Sequence, residues 1–334
     1  MRYQHIKTSI LEQFKAPNGN KIVPFILGAP GGGKSACARE IVGELGIEPS
    51  KVIEFNASLR DPVDVMGLPA SKGDHSEWLP PQEFYSIRQG QGRAALILEE
   101  LSDGSVAMQN ALCRVIYDRH AGQLPLTEQL FVIATGNRTE DKSGANRITS
   151  KLANRTRRFD FTENLDDLCE YALNAGWPVE LIQFLRFRPG LISDFDPNRF
   201  CNPTPRSWER TSYIPDSLPE QLYFDNVAGE VGEGAAAEYT GFRKIFRQLP
   251  NIDALLLDPK GADVPDDPAV RFAITGALAR KATKDNFDRI TAYTQRLPKE
   301  FDVMTVKDAL KINKDVQHTR SFSEWATRNA EVLM

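Results

Sequence analysis

With 334 residues, 41% of them hydrophobic and 26% charged, the chain is long enough for a sizeable core and more naturally forms two or three domains than one. Its 41 basic residues against 45 acidic ones leave a net charge of −4, which argues against bulk attraction to nucleic acid while leaving local basic patches open. No apolar run reaches the roughly 20 residues that span a bilayer, and "MRYQHIKTSI" lacks the apolar stretch of a secretory signal, so no membrane insertion and a cytoplasmic location are expected.

Apolar strand-like runs stand at 21–28, 51–58, 94–100, 130–137 and 157–161, with helical patterns between them such as "KSACAREIVGEL" and "VAMQNALCRVIYDR". Aliphatic strands alternating with helices predict an α/β layer structure around a parallel sheet. After residue 161 the pattern becomes helical, in "ENLDDLCEYALNAG", "VELIQFLRF", "SWERTSYI", "AAAEYTGFRKIFRQL", "DPAVRFAITGALARKAT", "NFDRITAYTQRL" and "SFSEWATRNAEVL", separated by proline-rich joints. Phe242, Ile245 and Phe246, and again Phe287, Ile290 and Tyr293, have the spacing of core faces. The four cysteines (Cys37, Cys113, Cys169, Cys201) lack CxxC spacing and read as reduced structural thiols. The four histidines (His5, His75, His120, His318) lie far from one another and from the thiols, so no metal-ligand cluster is expected.

"GAPGGGKS", residues 28–35, satisfies GxxxxGK[ST] after a strand run and before a helical one, the context of a P-loop. A glycine-rich turn with a stray lysine is the plainer alternative, and eight matching positions in the right setting count against it. Glycines let successive backbone N–H groups curl toward phosphate oxygens at the positive end of the following helix. Gly28, Pro30, Gly31, Gly32, Gly33, Lys34, Ser35 and Ala36 form the expected nucleotide-binding set, with Lys34 for the β and γ phosphates and the Ser35 hydroxyl for Mg²⁺. "GEVGEG" (229–234) has the wrong glycine order for a dinucleotide fingerprint and reads as a turn or helix start.

In P-loop hydrolases a second strand beside the P-loop strand ends in acids. Here "LILEEL" ends in Glu99 and Glu100, whose side chains are expected to point different ways along a strand. A solvated strand end is the plain alternative, and the preceding P-loop favours a catalytic pair. The block "LILEELSDGSVAMQNALCRVIYDRHAGQLPLTEQLFVIATGNRTED" resembles the segment from Walker B to sensor 1 of the MoxR branch of AAA+ ATPases. The likeness continues into "GANRITSKLANRTRRFDF" and "NPTPRSWERTSYI", so that it covers 21 to about 215.

This resemblance implies a P-loop NTPase core with a five-stranded parallel sheet in order 5-1-4-3-2 over residues 1–161, a helical lid at 162–250 and a helical extension at 251–334. It implies that Glu99 orders Mg²⁺ through water, Glu100 is the hydrolytic base, and Asn137 is the sensor 1 residue that orients the attacking water. Arg155 would be the finger that reaches a neighbouring subunit's nucleotide, with Arg147, Arg157 and Arg158 as alternatives, and Arg206 would be the sensor 2 arginine. Two positions depart from the family pattern: Glu99 stands for aspartate, and Thr156 follows the finger where an aromatic is common.

Residues 59–87 resemble the MoxR insertion, which with a hairpin at about 118–130 would face a ring pore or partners. Met66, Leu68 and Trp78 either make those contacts or pin the loop to its domain. The function implied is hydrolysis of ATP with Mg²⁺ in a homo-oligomeric ring, a hexamer in the family, acting on a protein client such as a von Willebrand factor A domain protein. A nucleic-acid-directed NTPase like the McrB motors and a slow nucleotide-binding regulator are the alternatives. Against the first, 59–87 carries both charge signs and no Lys/Arg cluster; against the second, Glu100, Asn137 and a finger candidate are present. "TGNRTED" only superficially resembles a guanine-reading motif, so ATP is expected rather than GTP.

Overall fold

Five strands come together in one parallel sheet: the three central ones are apolar runs buried on both faces, and the two edge strands leave part of their side chains exposed. The structure, a computed structural model, describes residues 1–141, 146–249 and 251–333. The chain packs as two compact units, Met1–Asn164 and Leu165–Met334.

The first unit contains α1 (Tyr3–Lys15), β1 (Val23–Leu27), α2 (Lys34–Glu44), β2 (Val52–Asn56), α3 (Val63–Met66), β3 (Leu68–Lys72), β4 (His75–Leu79), β5 (Ala94–Glu99), α4 (Val106–Asp118), β6 (His120–Ala121), β7 (Leu124–Pro125), β8 (Leu130–Gly136), α5 (Ser150–Ala153) and β9 (Thr156–Asp160). The sheet runs β2-β5-β8-β1-β9, and every described pairing within it is parallel. In chain numbering this differs from the expected string because two hairpins, β3-β4 and β6-β7, contribute four strands of their own. Counted over the five sheet strands alone, it reads 5-1-4-3-2 from the β9 edge. Strand β8 separates β5 from β1, so the strand that ends in Glu99 is not beside the P-loop strand but one removed from it.

Strand alternation sorts the core into two layers. Ile26, Ile97 and Ile133 face α1 and α2, where Ile6, Ile10, Cys37 and Ile41 cover them. Phe25, Leu96, Leu98 and Val132 face α4, which contributes Met108, Leu112 and Val115. Each such side chain contributes roughly 2 kcal/mol of burial. The insertion at 59–87 holds α3 and the exposed antiparallel hairpin β3-β4 with Leu68 opposite Leu79. Met66 and Trp78 are little more than one third exposed, whereas Leu68 is 61% exposed. The short hairpin β6-β7 falls within the expected 118–130.

The second unit is helical: α6 (Leu165–Asn174), α7 (Val179–Phe187), α8 (Pro205–Ser212), α9 (Glu220–Val231), α10 (Glu233–Arg247), α11 (Ile252–Leu257), α12 (Pro268–Lys281), α13 (Phe287–Thr294), α14 (Lys299–Ile312), α15 (Arg320–Arg328) and α16 (Ala330–Leu333). Helices α9, α11 and α14 have no counterpart among the sequence expectations. "GEVGEG" is the joint between α9 and α10, where Gly232 has φ 85°. Phe242 is buried with Ile245 and Phe246 packed against the same cluster, and Phe287, Ile290 and Tyr293 are buried in a second cluster. Helices on either side of residue 250 share one cluster: Ala269 and Ala273 of α12 lie with Leu181 and Phe184 of α7. Among the described residues, no helix is long and apolar enough to cross a membrane.

Candidate active site

The loop between β1 and α2 curls through backbone that few other residues adopt: Gly31 has φ 75° and Gly33, at the helix start, φ 104°. No atom lies within 4 Å of where a Cβ on Gly33 would stand, so this position demands glycine through backbone conformation alone. Lys34, 8% exposed, folds back under the loop. Its Nζ donates to the carbonyls of Gly28 at 2.9 Å and Ala29 at 2.7 Å, and to Oδ1 of Asn137 at 3.0 Å. On the far side of the loop the Glu163 carboxylate fills the space that any side chain on Gly32 would need.

The acid pair divides, though not by strand alternation. Glu99 ends β5, and its Oε1 receives Nη2 of Arg39 on α2 at 2.8 Å. Arg39 also grips Glu54 of β2 through Nε at 3.0 Å and Nη2 at 2.8 Å. The neighbouring carboxylates hold its guanidinium even more firmly in the charged form than usual, chiefly through the hydrogen bonds to Glu54. Glu100 lies beyond the strand in left-handed backbone, φ 51°, and its carbonyl closes a turn by accepting from the N–H groups of Asp103 at 2.9 Å and Gly104 at 3.2 Å. That reversal sends the Glu100 carboxylate to the end of β2, where it accepts from Nδ2 of Asn56 at 3.2 Å and from the Ser58 hydroxyl.

Asn137, one residue past β8, is held at its backbone N–H and at both ends of its side-chain amide. Its N–H donates to Ser102 Oγ at 2.7 Å, its Nδ2 donates to Asp103 Oδ2 at 2.9 Å, and its Oδ1 takes Lys34. The approach depends on Gly136: a Cβ there would stand 2.7 Å from Ser102 Oγ and 2.9 Å from the Phe25 ring.

The arginines expected at subunit contacts differ in their freedom. Arg155, just after α5, donates from Nη1 to the Lys151 carbonyl at 2.9 Å and stacks over Tyr117, with Cζ 4.8 Å from the ring centre; Tyr117 is 67% exposed. Arg157 is tied to Gln13 and Arg158 to Asp160. Arg147 is exposed and makes no hydrogen bond or ion pair among the described residues. Gly144 and Ala145, at the head of the segment that resembles the finger region, lie outside the described residues. Arg206 sits in the first turn of α8, exposed and without an ion pair among the described residues, while Thr204 and Ser207 cap the helix reciprocally.

The residues fit the groups the sequence implied. The curled loop offers a concave run of backbone at a helix N-terminus, and the Ser35 hydroxyl makes no hydrogen bond among the described residues. Among the described residues no three His, Cys, Asp or Glu side chains gather as a metal cage. A single hydroxyl with one carboxylate is the sparse set Mg²⁺ uses when phosphates and water complete its shell. Sequence reading missed Arg39, Asn56, Ser58 and Asp103, which hold Glu99, Glu100 and Asn137. Asp103 follows the acid pair closely enough to be suspected, but Arg39 and Asn56 have no local signal, because their partners lie 60 and 44 residues away.

No family model matches the chain, and no curated protein matches it. Among solved structures it is similar to the Holliday junction branch migration motor RuvB of Thermotoga maritima, at 14% identity over 91% of this chain and 87% of that one, with a TM-score of 0.39. A point mutant of the same protein gives 13% identity, 91% and 88% coverage and a TM-score of 0.41. NtrX from Brucella abortus aligns at 14% identity over 99% of this chain and 68% of that one, with a TM-score of 0.35. The functional reading rests on the residues of the site.

Proposed function

We propose that the chain is a Mg²⁺-dependent ATPase of the AAA+ type, closest in its motifs to the MoxR branch, that works in a ring, hexameric by that resemblance, on a protein client. One observation carries the reading: the P-loop lysine and the strand-end asparagine, 103 residues apart, meet in a 3.0 Å hydrogen bond beside the loop. A stray lysine in a glycine turn has no reason to be buried against the next-door strand's polar terminus.

In this reading the backbone of 28–36 cradles the phosphates, and Lys34 adds fixed positive charge. Ser35 and Glu99 hold the Mg²⁺, Glu99 through water; the metal supplies charge neutralisation on the phosphate oxygens. Glu100 takes the proton of the attacking water, which Asn137 orients. Arg155 completes a neighbour's site, and Arg206 acts from a helical lid at 162–250, with 251–334 as an extension. A von Willebrand factor A domain protein is the client type that the resemblance suggests, and a cytoplasmic location fits it.

The test is a pair of variants in a phosphate-release and nucleotide-binding assay. Lys34→Ala should lose binding, whereas Glu100→Gln should bind ATP and hardly turn it over, since only the base is removed. Near-wild-type turnover by Glu100→Gln overturns the base assignment.

A further inference from the structure

We propose that Asp103 is a positioning residue that fixes which end of the Asn137 amide faces Lys34. An amide has one acceptor end and one donor end, and here each faces a group with a single preference. The Lys34 ammonium only donates and takes Oδ1 at 3.0 Å; the Asp103 carboxylate only accepts and takes Nδ2 at 2.9 Å. Reversing the amide would set its NH₂ against an ammonium and its oxygen against a carboxylate, losing both bonds at once.

Asp103 is itself immobilised. Its Oδ1 accepts from Ser102 Oγ at 2.7 Å, and its N–H donates to the Glu100 carbonyl. Its own carbonyl accepts from Asn146 Nδ2 at 3.2 Å, while Asn146 N–H donates to the Ser102 carbonyl at 2.9 Å. Ser102 in turn holds the Asn137 backbone. The turn 102–104 therefore clamps Asn137 at main chain and side chain together and leaves one Nδ2 proton to offer outward. The clamp starts at the Glu100 carbonyl, so the turn that aims the proposed base also orients the proposed water-positioning amide.

The kinetic part of this inference rests on the ATPase reading; the amide orientation does not. In ¹⁵N-Asn-labelled, nucleotide-free protein, one side-chain amide proton of Asn137, identified by its loss in Asn137→Ala, should lie downfield through its bond to the carboxylate. It should return toward the free-amide position in Asp103→Asn, an isosteric change that lets the amide turn. An unshifted Asn137 resonance in the wild type, or one that Asp103→Asn leaves in place, overturns the proposal.

In turnover, Asp103→Asn should lower kcat about 10-fold, a little over one bond's worth, with ATP affinity changed less than about threefold. The same substitution should have no further effect in an Asn137→Ala background. Additive losses in that cycle would assign Asp103 a merely structural role. A wild type with the shifted resonance but no ATP hydrolysis would sink the ATPase reading and leave the orientation of Asn137 standing.

Discussion

Glutamate at position 99 is one methylene longer than the aspartate of the family it resembles, and that length is used: the carboxylate reaches Arg39 on the P-loop helix, which also holds Glu54 of the neighbouring strand. A half-exposed ion pair of this kind contributes at most about 1 kcal/mol. Glu99→Asp should therefore move the melting temperature by less than about 3 °C while shifting the Mg²⁺ concentration needed for half-maximal turnover several-fold, because the shorter side chain leaves Arg39 to Glu54 alone. A magnesium titration of both proteins decides this, and an unchanged requirement would detach Glu99 from the metal. At Gly136 the constraint is steric. Gly136→Ala should destabilise by about 1–3 kcal/mol and depress turnover, since the new methyl displaces Ser102 from Asn137. Denaturant melts with ATPase assays on the same sample measure both. Of the site residues, the glycines, Lys34, the acid pair and Asn137 were legible because each sits at a fixed offset from a strand or a helix start. Arg39, Asn56 and Asp103 were not, because their importance is a property of where two distant segments cross.

Among the elements, α2 joins the loop to the core, and its Cys37 is buried against α1. Burial pushes the Cys37 thiol up to about 12 from 9.0. The raised value means that the folded state keeps its proton while the unfolded chain gives it up, so this contribution is intact below pH 9 and is lost as pH rises from 9 toward 12. Cys37→Ala should flatten that part of the stability–pH curve, and the native thiol should resist alkylation at pH 8 until the protein unfolds. Helices with clean apolar stripes were readable from sequence; α14 was not. Its inward face includes Asp302, Thr305 and Asp308, which interrupt the periodicity and are accommodated only because Trp325 and Thr294 donate to Asp302, and Arg186 to Asp308. The hairpin β3-β4 was missed for the opposite reason: both of its faces are largely exposed, so no alternation marks it.

At the scale of the whole molecule, each of the two units has its own apolar clusters. The helical unit also contains a buried ion pair, Arg186 with Asp308, which Gln183 supports at 3.3 Å. Arg186→Ala would leave a carboxylate buried without its cation, a cost of about 3–5 kcal/mol. Calorimetry should show the transition of residues 165–334 lowered and that of 1–164 unmoved; a shift of both together would mean that the units melt as one. What the sequence by itself determined is whatever depends on local order: the phosphate loop, the apolar strands, the acid pair and the change to helix after residue 161. Tertiary structure alone decided that Glu99 answers to Arg39, that Glu100 turns toward Asn56, and that Asp103 and Lys34 hold opposite ends of Asn137. The reason is physical: a motif records spacing along the chain, whereas a hydrogen bond between segments 34 to 103 residues apart exists only once the sheet has set the strands in order.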